Sequence, residues 1–238
     1  AAGVAVAVAG CSLGDVPPTP PITPGTSGSP REVNVIMKDY LFLPAVLDLA
    51  PGETVLVLGA AGGVGTAAVE LAKLLGARVI AAASSPERLE LCRRLGADEG
   101  IDYAREDLRK RVQELTGGRG VDVVYDPVGG AYSEAALRST AWGGRHLVIG
   151  FAAGEIPRVP LNLALLRERA IVGAYWGDWS QRDRAASAAG LRRIGEWILA
   201  GKLRPAVTRT VGLAEVPGAM EDLLSRRVHG KIVVLPSR

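Results

Sequence analysis

From residue 51 onward the chain alternates short apolar runs with helical ones, and glycines join the first pair. That joint, Thr54 to Gly65 (TVLVLGAAGGVG), constrains the fold more than any other stretch. An unbroken apolar run of this length fits a strand covered on both faces, as in a parallel sheet between helical layers. Gly59, Gly62 and Gly65 then permit a tight turn. The helix after it aims its free N–H groups and positive dipole end at whatever lies over the strand. A pyrophosphate suits that place, so a nucleotide cofactor is the first functional expectation. The spacing is G-x-x-G-x-x-G rather than the commoner G-x-G-x-x-G, and a glycine triplet alone is weak. Its context strengthens it: a strand before, a helix after, and a second strand ending about twenty residues on. The competing reading is a tight strand–helix turn without a ligand. It is the weaker one, because three glycines lose chain entropy without an evident packing return.

The alternation continues for about 150 residues. The first helix ends at Gly76 and places Val64, Ala68, Leu71, Leu74 and Leu75 on one face. The strand ARVIAAA precedes the helix SPERLELCRRLG, with Ser85 as N-cap, Pro86 in the first turn and Gly96 as C-cap. A short strand near Glu99 to Ile101 and a helix from about Arg105 to Leu115 follow. Then come strand VDVVYDPVGG, helix YSEAALRSTA, strand GRHLVIGF, another helix, strand AIVGAYW and a long helix from Asp183 to Leu199. Right-handed crossovers turn this order into an α/β fold, a three-layer Rossmann domain with a doubly wound parallel sheet, assigned to residues 51–202. Residues 203–238 hold two strand candidates, AVTRTVGL and KIVVLP, around the helix EVPGAMEDLLSRR, as a short C-terminal appendage. Upstream, residues 32–50 read as a short strand pair. Residues 1–31, an Ala/Val run followed by PPTPPITPGTSGSP, read as a flexible arm or linker.

Composition narrows the function classes. Of 238 residues, 48% are hydrophobic and 22% charged, which suffices for a sizeable core and argues against global disorder. A net charge of +3 is too mild to argue for a nucleic-acid partner and suits an anionic cofactor. Cys11, Cys92, His146 and His229 show neither zinc-ligand spacing nor a disulfide framework. Cys92, in LELCRRLG, reads as a buried small apolar residue. No run is long enough to cross a bilayer, and a cytoplasmic location is expected. The chain opens on Ala1 rather than Met, as a fragment or a processed form would.

The tip of the second strand separates the two nicotinamide cofactors. An NAD enzyme carries Asp or Glu there for the ribose 2′-hydroxyl. This chain has Ala83-Ser84-Ser85, with Arg88 one turn later. Hydroxyls and a guanidinium would hold a 2′-phosphate that a carboxylate would repel, so the residues favour NADP(H). Simple capping by the serines is compatible with that role. Two more strand ends point at the same crevice, Tyr125-Asp126-Pro127-Val128-Gly129-Gly130 and Gly150-Phe151-Ala152-Ala153-Gly154. Their small residues leave room for ribose and nicotinamide. Tyr103 is placed to reach the cofactor phosphates and Lys231 the 2′-phosphate, with a half-buried tyrosine and a surface lysine as the plain alternatives. No acid or base with a readable partner stands out, and Asp126 reads as satisfying loop backbone. Hydride transfer does not demand one, since the cofactor carries the difficult chemistry.

Residues 51 to about 236 resemble the quinone oxidoreductase (zeta-crystallin-like) branch of the zinc-independent medium-chain dehydrogenase/reductases. The residues carrying the resemblance are PGETVLVLGAAGGVGTAAVELAKLLGARVIAAASSPERLELCRRLGAD, IDY, VDVVYDPVGG, GGRHLVIGFAAGEIP and the terminal GKIVVLP. It implies zinc-free, NADPH-dependent reduction of quinones or activated alkenes. It also implies a cofactor site lined by the glycine turn (Gly59, Gly62, Gly63, Val64, Gly65), Ser84, Arg88, Tyr103, Val128, Gly129, Gly150, Phe151 and Lys231. The segment from about Leu203 onward would return to the substrate domain, and family members pair along the sheet edge near AIVGAYW, so a homodimer is expected. The resemblance stops upstream. A full member carries a GroES-like substrate domain of well over a hundred residues, and here about fifty precede the Rossmann unit. Either residues 1–50 are a remnant of that domain, or they start a lipoprotein. Val8-Ala9-Gly10-Cys11 resembles a lipobox with Cys11 acylated, and residues 32–57 resemble the opening strands of a cupredoxin. The second reading is favoured by the order of lipobox, tether and strand pair. Two functional alternatives follow: an NADP(H)-binding module without turnover, and a lipid-anchored envelope protein.

Overall fold

The computed structural model describes residues 49–235. The arm at 1–31, nearly all of the strand pair at 32–50, and the lipobox at Cys11 lie outside the described residues. Six strands form one parallel sheet: β1 (Thr54–Leu58), β2 (Arg78–Ala83), β3 (Glu99–Asp102), β4 (Val121–Asp126), β5 (Thr140–Val148) and β6 (Ala170–Gly173). Their spatial order is β3-β2-β1-β4-β5-β6. The winding direction reverses between β1 and β4, and this opens a crevice beyond the carboxyl ends of those strands. The helices are α1 (Gly63–Leu74), α2 (Pro86–Arg94), α3 (Leu108–Leu115), α4 (Tyr132–Arg138), α5 (Asn162–Leu165), α6 (Trp176–Arg182), α7 (Arg184–Leu199) and α8 (Val216–Leu224). A separate parallel pair, β7 (Val207–Val211) and β8 (Lys231–Val234), is connected through α8. The expected three-layer Rossmann fold is the one observed.

β1 explains why the sheet is the core. Val55, Leu56, Val57 and Leu58 are fully buried. Val55 and Val57 pack with Val69 and Ala72 of α1 and Cys92 of α2, whereas Leu56 and Leu58 pack with Leu108 and Val112 of α3 and Ala136 of α4. Period-two alternation therefore feeds two apolar layers, and each such side chain contributes about 1.5–3 kcal/mol relative to exposure. Among the described residues no helix is long and apolar enough to cross a membrane.

Several boundaries differ from the sequence expectation. α3 starts at Leu108, because the Asp107 carboxylate caps it by accepting from the Lys110 amide at 2.8 Å. Residues before it are held in a turn, with Glu106 accepting from the Asp102 amide at 2.8 Å. β6 ends at Gly173 rather than at Trp176, since its partner β5 ends at Val148 and offers no further ladder; Trp176 opens α6 instead. Val64, expected on the apolar face of α1, is exposed, and that face is built from Ala68, Val69, Leu71 and Ala72.

Candidate cofactor site

β1 delivers the chain to Gly59, whose φ of +57° admits the turn without strain. A Cβ on Gly59 would sit 2.8 Å from Val128 Cγ2. A Cβ on Gly65 would sit 2.3 Å from the Gly59 carbonyl oxygen, and one on Gly62 3.2 Å from the same atom. Gly63 has ordinary room, its nearest neighbour being the Gly230 carbonyl at 3.5 Å. The glycines thus have a packing return that the sequence hid: α1 lies directly against the end of β1, and Gly59 and Gly65 are required for that alone. What the turn offers an anion is its amides. Gly62 gives α1 no side-chain cap, and its carbonyl accepts from the Thr66 amide at 2.9 Å. The N–H groups of the first turn accordingly face outward without an intrahelical acceptor.

The remaining expected residues form a contiguous rim around this turn. At the tip of β2, the Ser85 hydroxyl caps α2 by accepting from the Arg88 amide at 3.4 Å, and Arg88 Nη1 donates to Ser84 Oγ at 3.2 Å. Tyr103 follows β3, half-buried, with its ring centroid 4.5 Å from that of Tyr132. Burial and Tyr132 push the Tyr103 phenol up, against a smaller opposing pull from Arg88 and a Ser84 hydrogen bond. On the other side, Val128 touches the glycine turn, and Gly129 lies so close to Phe151 that a Cβ would meet its Cδ1 at 2.8 Å. Gly150 and Ala152 donate to the Asp126 and Pro127 carbonyls, so the loops after β4 and β5 are laced together. Phe151 is 40% exposed and Val64, in the first turn of α1, 52% exposed.

The C-terminal segment closes the rim. The Gly230 amide donates to the Ala61 carbonyl at 2.8 Å, docking β8 on the glycine turn. Lys231 Nζ donates to the Gly63 carbonyl at 2.7 Å and reaches Thr66 Oγ1 at 3.3 Å. Burial lowers its pKa, against the pull of Glu70. The structure therefore seats Lys231 at the first turn of α1, while a different residue joins Ser84 and Arg88. The Arg226 carbonyl accepts from Arg88 Nη2, and the Arg226 guanidinium donates to the Ala152 carbonyl at 3.3 Å. Arg226 holds φ of +57°, uncommon for a residue with a side chain. His229 lies near Arg88, and burial followed by that guanidinium lowers its pKa. Sequence reasoning missed Arg226 and His229. Their local signal was a basic run before Gly230-Lys231, indistinguishable from a solvated helix end.

Asp126 lies beneath the rim. Burial acts to raise its pKa, but hydrogen bonds from His146, Gly129 and Ser133 outweigh it, and the carboxyl sits below the usual range. Among the described residues, no group of three or more His, Cys, Asp or Glu is placed to hold a metal ion.

The sequence matches the family model described as zinc-binding dehydrogenase over residues 63–190. A quinone oxidoreductase-like protein 2 homolog of Nematostella vectensis is 39% identical over 82% of this chain and 54% of its own length. A solved quinone oxidoreductase of Pseudomonas syringae superposes with a TM-score of 0.72 at 33% identity, over 79% of this chain and 58% of that one. An Escherichia coli quinone oxidoreductase, solved in complex with NADPH, gives a TM-score of 0.74 at 28% identity, over 83% of this chain and 61% of that one. The chain thus spans between half and two thirds of the length of these relatives.

Proposed function

We propose, for a chain that belongs to the quinone oxidoreductase branch of the medium-chain dehydrogenase/reductase superfamily, that the crevice binds NADP(H) for hydride transfer to a quinone or an activated alkene. The observation that carries the cofactor choice is the Arg88 guanidinium held on Ser84 at the tip of β2, where the chain offers no carboxylate. Arg88, Ser84 and Arg226 are read as the 2′-phosphate group, with Tyr103 beside them. The glycine turn from Gly59 to Gly65, with the uncapped amides of α1 and the Lys231 ammonium, fits a pyrophosphate. Val128, Gly129, Gly150 and Phe151 fit the nicotinamide end. When bound, the cofactor supplies the hydride. The protein's part is to hold both ends, so that the reacting face is fixed against the crevice. The reading is one without zinc, following the zinc-independent members that residues 51 to about 236 resemble. The C-terminal pair of β7 and β8 is read as the part of a substrate domain that returns after the Rossmann unit. A homodimer is read along β6, the end strand of the sheet.

A second reading, an NADP(H)-binding module with little turnover, draws on the span of the chain. In this family the substrate cleft lies between two domains, and the chain matches 54% to 61% of its relatives' lengths. Fluorescence titration tests the shared part: NADPH binds saturably and more tightly than NADH. Arg88→Glu weakens NADPH at least about tenfold and NADH less than about threefold. Equal loss for both would refute the 2′-phosphate assignment, and no saturable NADPH signal would refute the site. NADPH oxidation with a simple quinone then separates enzyme from module, and a chelator leaves any such rate unchanged.

A further inference from the structure

The Asp126 carboxylate is almost wholly enclosed, with its side chain 3% exposed, and it gathers donors from three directions. Oδ1 accepts from the Val128 amide at 2.9 Å and the Gly129 amide at 2.8 Å. Oδ2 accepts from Ser133 Oγ of α4 at 2.5 Å and faces His146 Nε2 of β5 at 3.1 Å. An ionised carboxylate only accepts, so His146 Nε2 carries the hydrogen of this pair. His146 Nδ1 is buried and finds no partner among the described residues. A buried polar atom without a partner is unfavourable, so the arrangement calls for a return elsewhere.

The return lies one residue outward. The two amides held by Oδ1 belong to Val128, which abuts the glycine turn, and to Gly129, which abuts Phe151. The same loop receives the Ala153 amide on the Val128 carbonyl at 2.8 Å. Asp126 therefore fixes the loop between the pyrophosphate side of the crevice and the loop after β5, while Ser133 and His146 fix Asp126 to the helix and strand on either side. Charge-assisted bonds of this kind are short and directional, and they set position more sharply than packing alone.

We propose that Asp126, keyed by His146 and Ser133, is a positioning residue for the nicotinamide half of the cofactor, acting through the Val128–Gly129 backbone. The proposal rests on the NADP(H) reading above. It is tested by comparing NADPH with 2′,5′-ADP, which carries the 2′-phosphate and adenosine but no nicotinamide. The wild-type chain binds NADPH more tightly than 2′,5′-ADP. In His146→Leu the affinity for NADPH falls about tenfold while that for 2′,5′-ADP stays within about twofold, and His146→Gln, which restores a donor, recovers most of the difference. Asp126→Asn, of nearly the same size, carries the same comparison if His146→Leu does not fold. A general loss of structure would weaken both ligands alike, and that outcome, or no change in either, overturns the proposal. A wild-type chain that binds both ligands equally also overturns it. A wild-type chain that binds neither ligand removes the parent reading and the proposal with it.

Discussion

Gly65 and Gly63 look interchangeable on paper, and the fold treats them oppositely. A methyl on Gly65 would enter the Gly59 carbonyl at 2.3 Å, against backbone that cannot swing aside. Gly65→Ala is expected to lower stability by about 3 kcal/mol or more, the upper range for overpacking. Gly63→Ala, with 3.5 Å to its nearest neighbour, changes it by about 1 kcal/mol or less. Urea unfolding of the two variants checks the contrast. Cys92 is a second residue whose fate follows from its surroundings. It is fully buried, and burial pushes its thiol up to about 11. Peptide mapping after iodoacetamide at about pH 8 should show Cys92 unmodified in the native chain and alkylated in urea, since only the thiolate reacts. Its burial was legible from an apolar helical setting.

Helices whose ends are marked by local chemistry were legible, and ends set by a neighbour were not. α2 carries Ser85 as N-cap and Pro86 in its first turn as expected, because a cap is a contact over three residues, while its C-cap is Leu95 and Gly96 follows one residue beyond at φ +103°. Ser85→Ala is expected to cost about 1 kcal/mol in thermal or chemical unfolding. α3 is the exception, since its start at Leu108 is set by the local Asp107 cap and still lies beyond the expected Arg105. β6 is shorter than the apolar run AIVGAYW because a strand's length is decided by its ladder partner, here β5. Between α8 and Lys231, Arg226 and His229 escaped as functional residues. Arg226 sits beside Arg88 through its own carbonyl and reaches Ala152 with its guanidinium. Arg226→Ala should weaken NADPH binding more than NADH binding in the same titration used for Arg88, and equal effects would detach it from the 2′-phosphate group.

For the molecule as a whole, acid sensitivity follows from three carboxylates, those of buried Asp126, half-buried Asp122 and solvent-exposed Asp98. Against burial, Lys73 and the Val79 amide lower Asp98, Arg119 and the Thr54 amide lower Asp122, and His146 with its neighbours lowers Asp126. A depressed carboxyl contributes stability that is complete above its unfolded value of 3.8 and is lost as pH falls through the folded one. Glu70, raised by burial, has the opposite sign, its contribution fading as pH rises past its folded value. The urea midpoint should therefore fall below about pH 4, and Asp122→Asn, at the half-buried carboxylate held by Arg119 and the Thr54 amide, should lessen that fall. The sequence by itself determined the strand–helix alternation, the glycine turn, the capped helix α2 and the missing carboxylate at the tip of β2. Each depends on dihedral preference and neighbours within a few residues. Only the tertiary structure decided the strand order, which glycines are forced, and the partners of Lys231, Arg226 and Asp126. Arg88 meets the Arg226 carbonyl across 138 residues, and Lys231 meets Gly63 across 168. Contacts at that separation leave no period in the sequence. They exist because a parallel sheet returns every strand's carboxyl end to one edge, and the last strand comes back to the first turn.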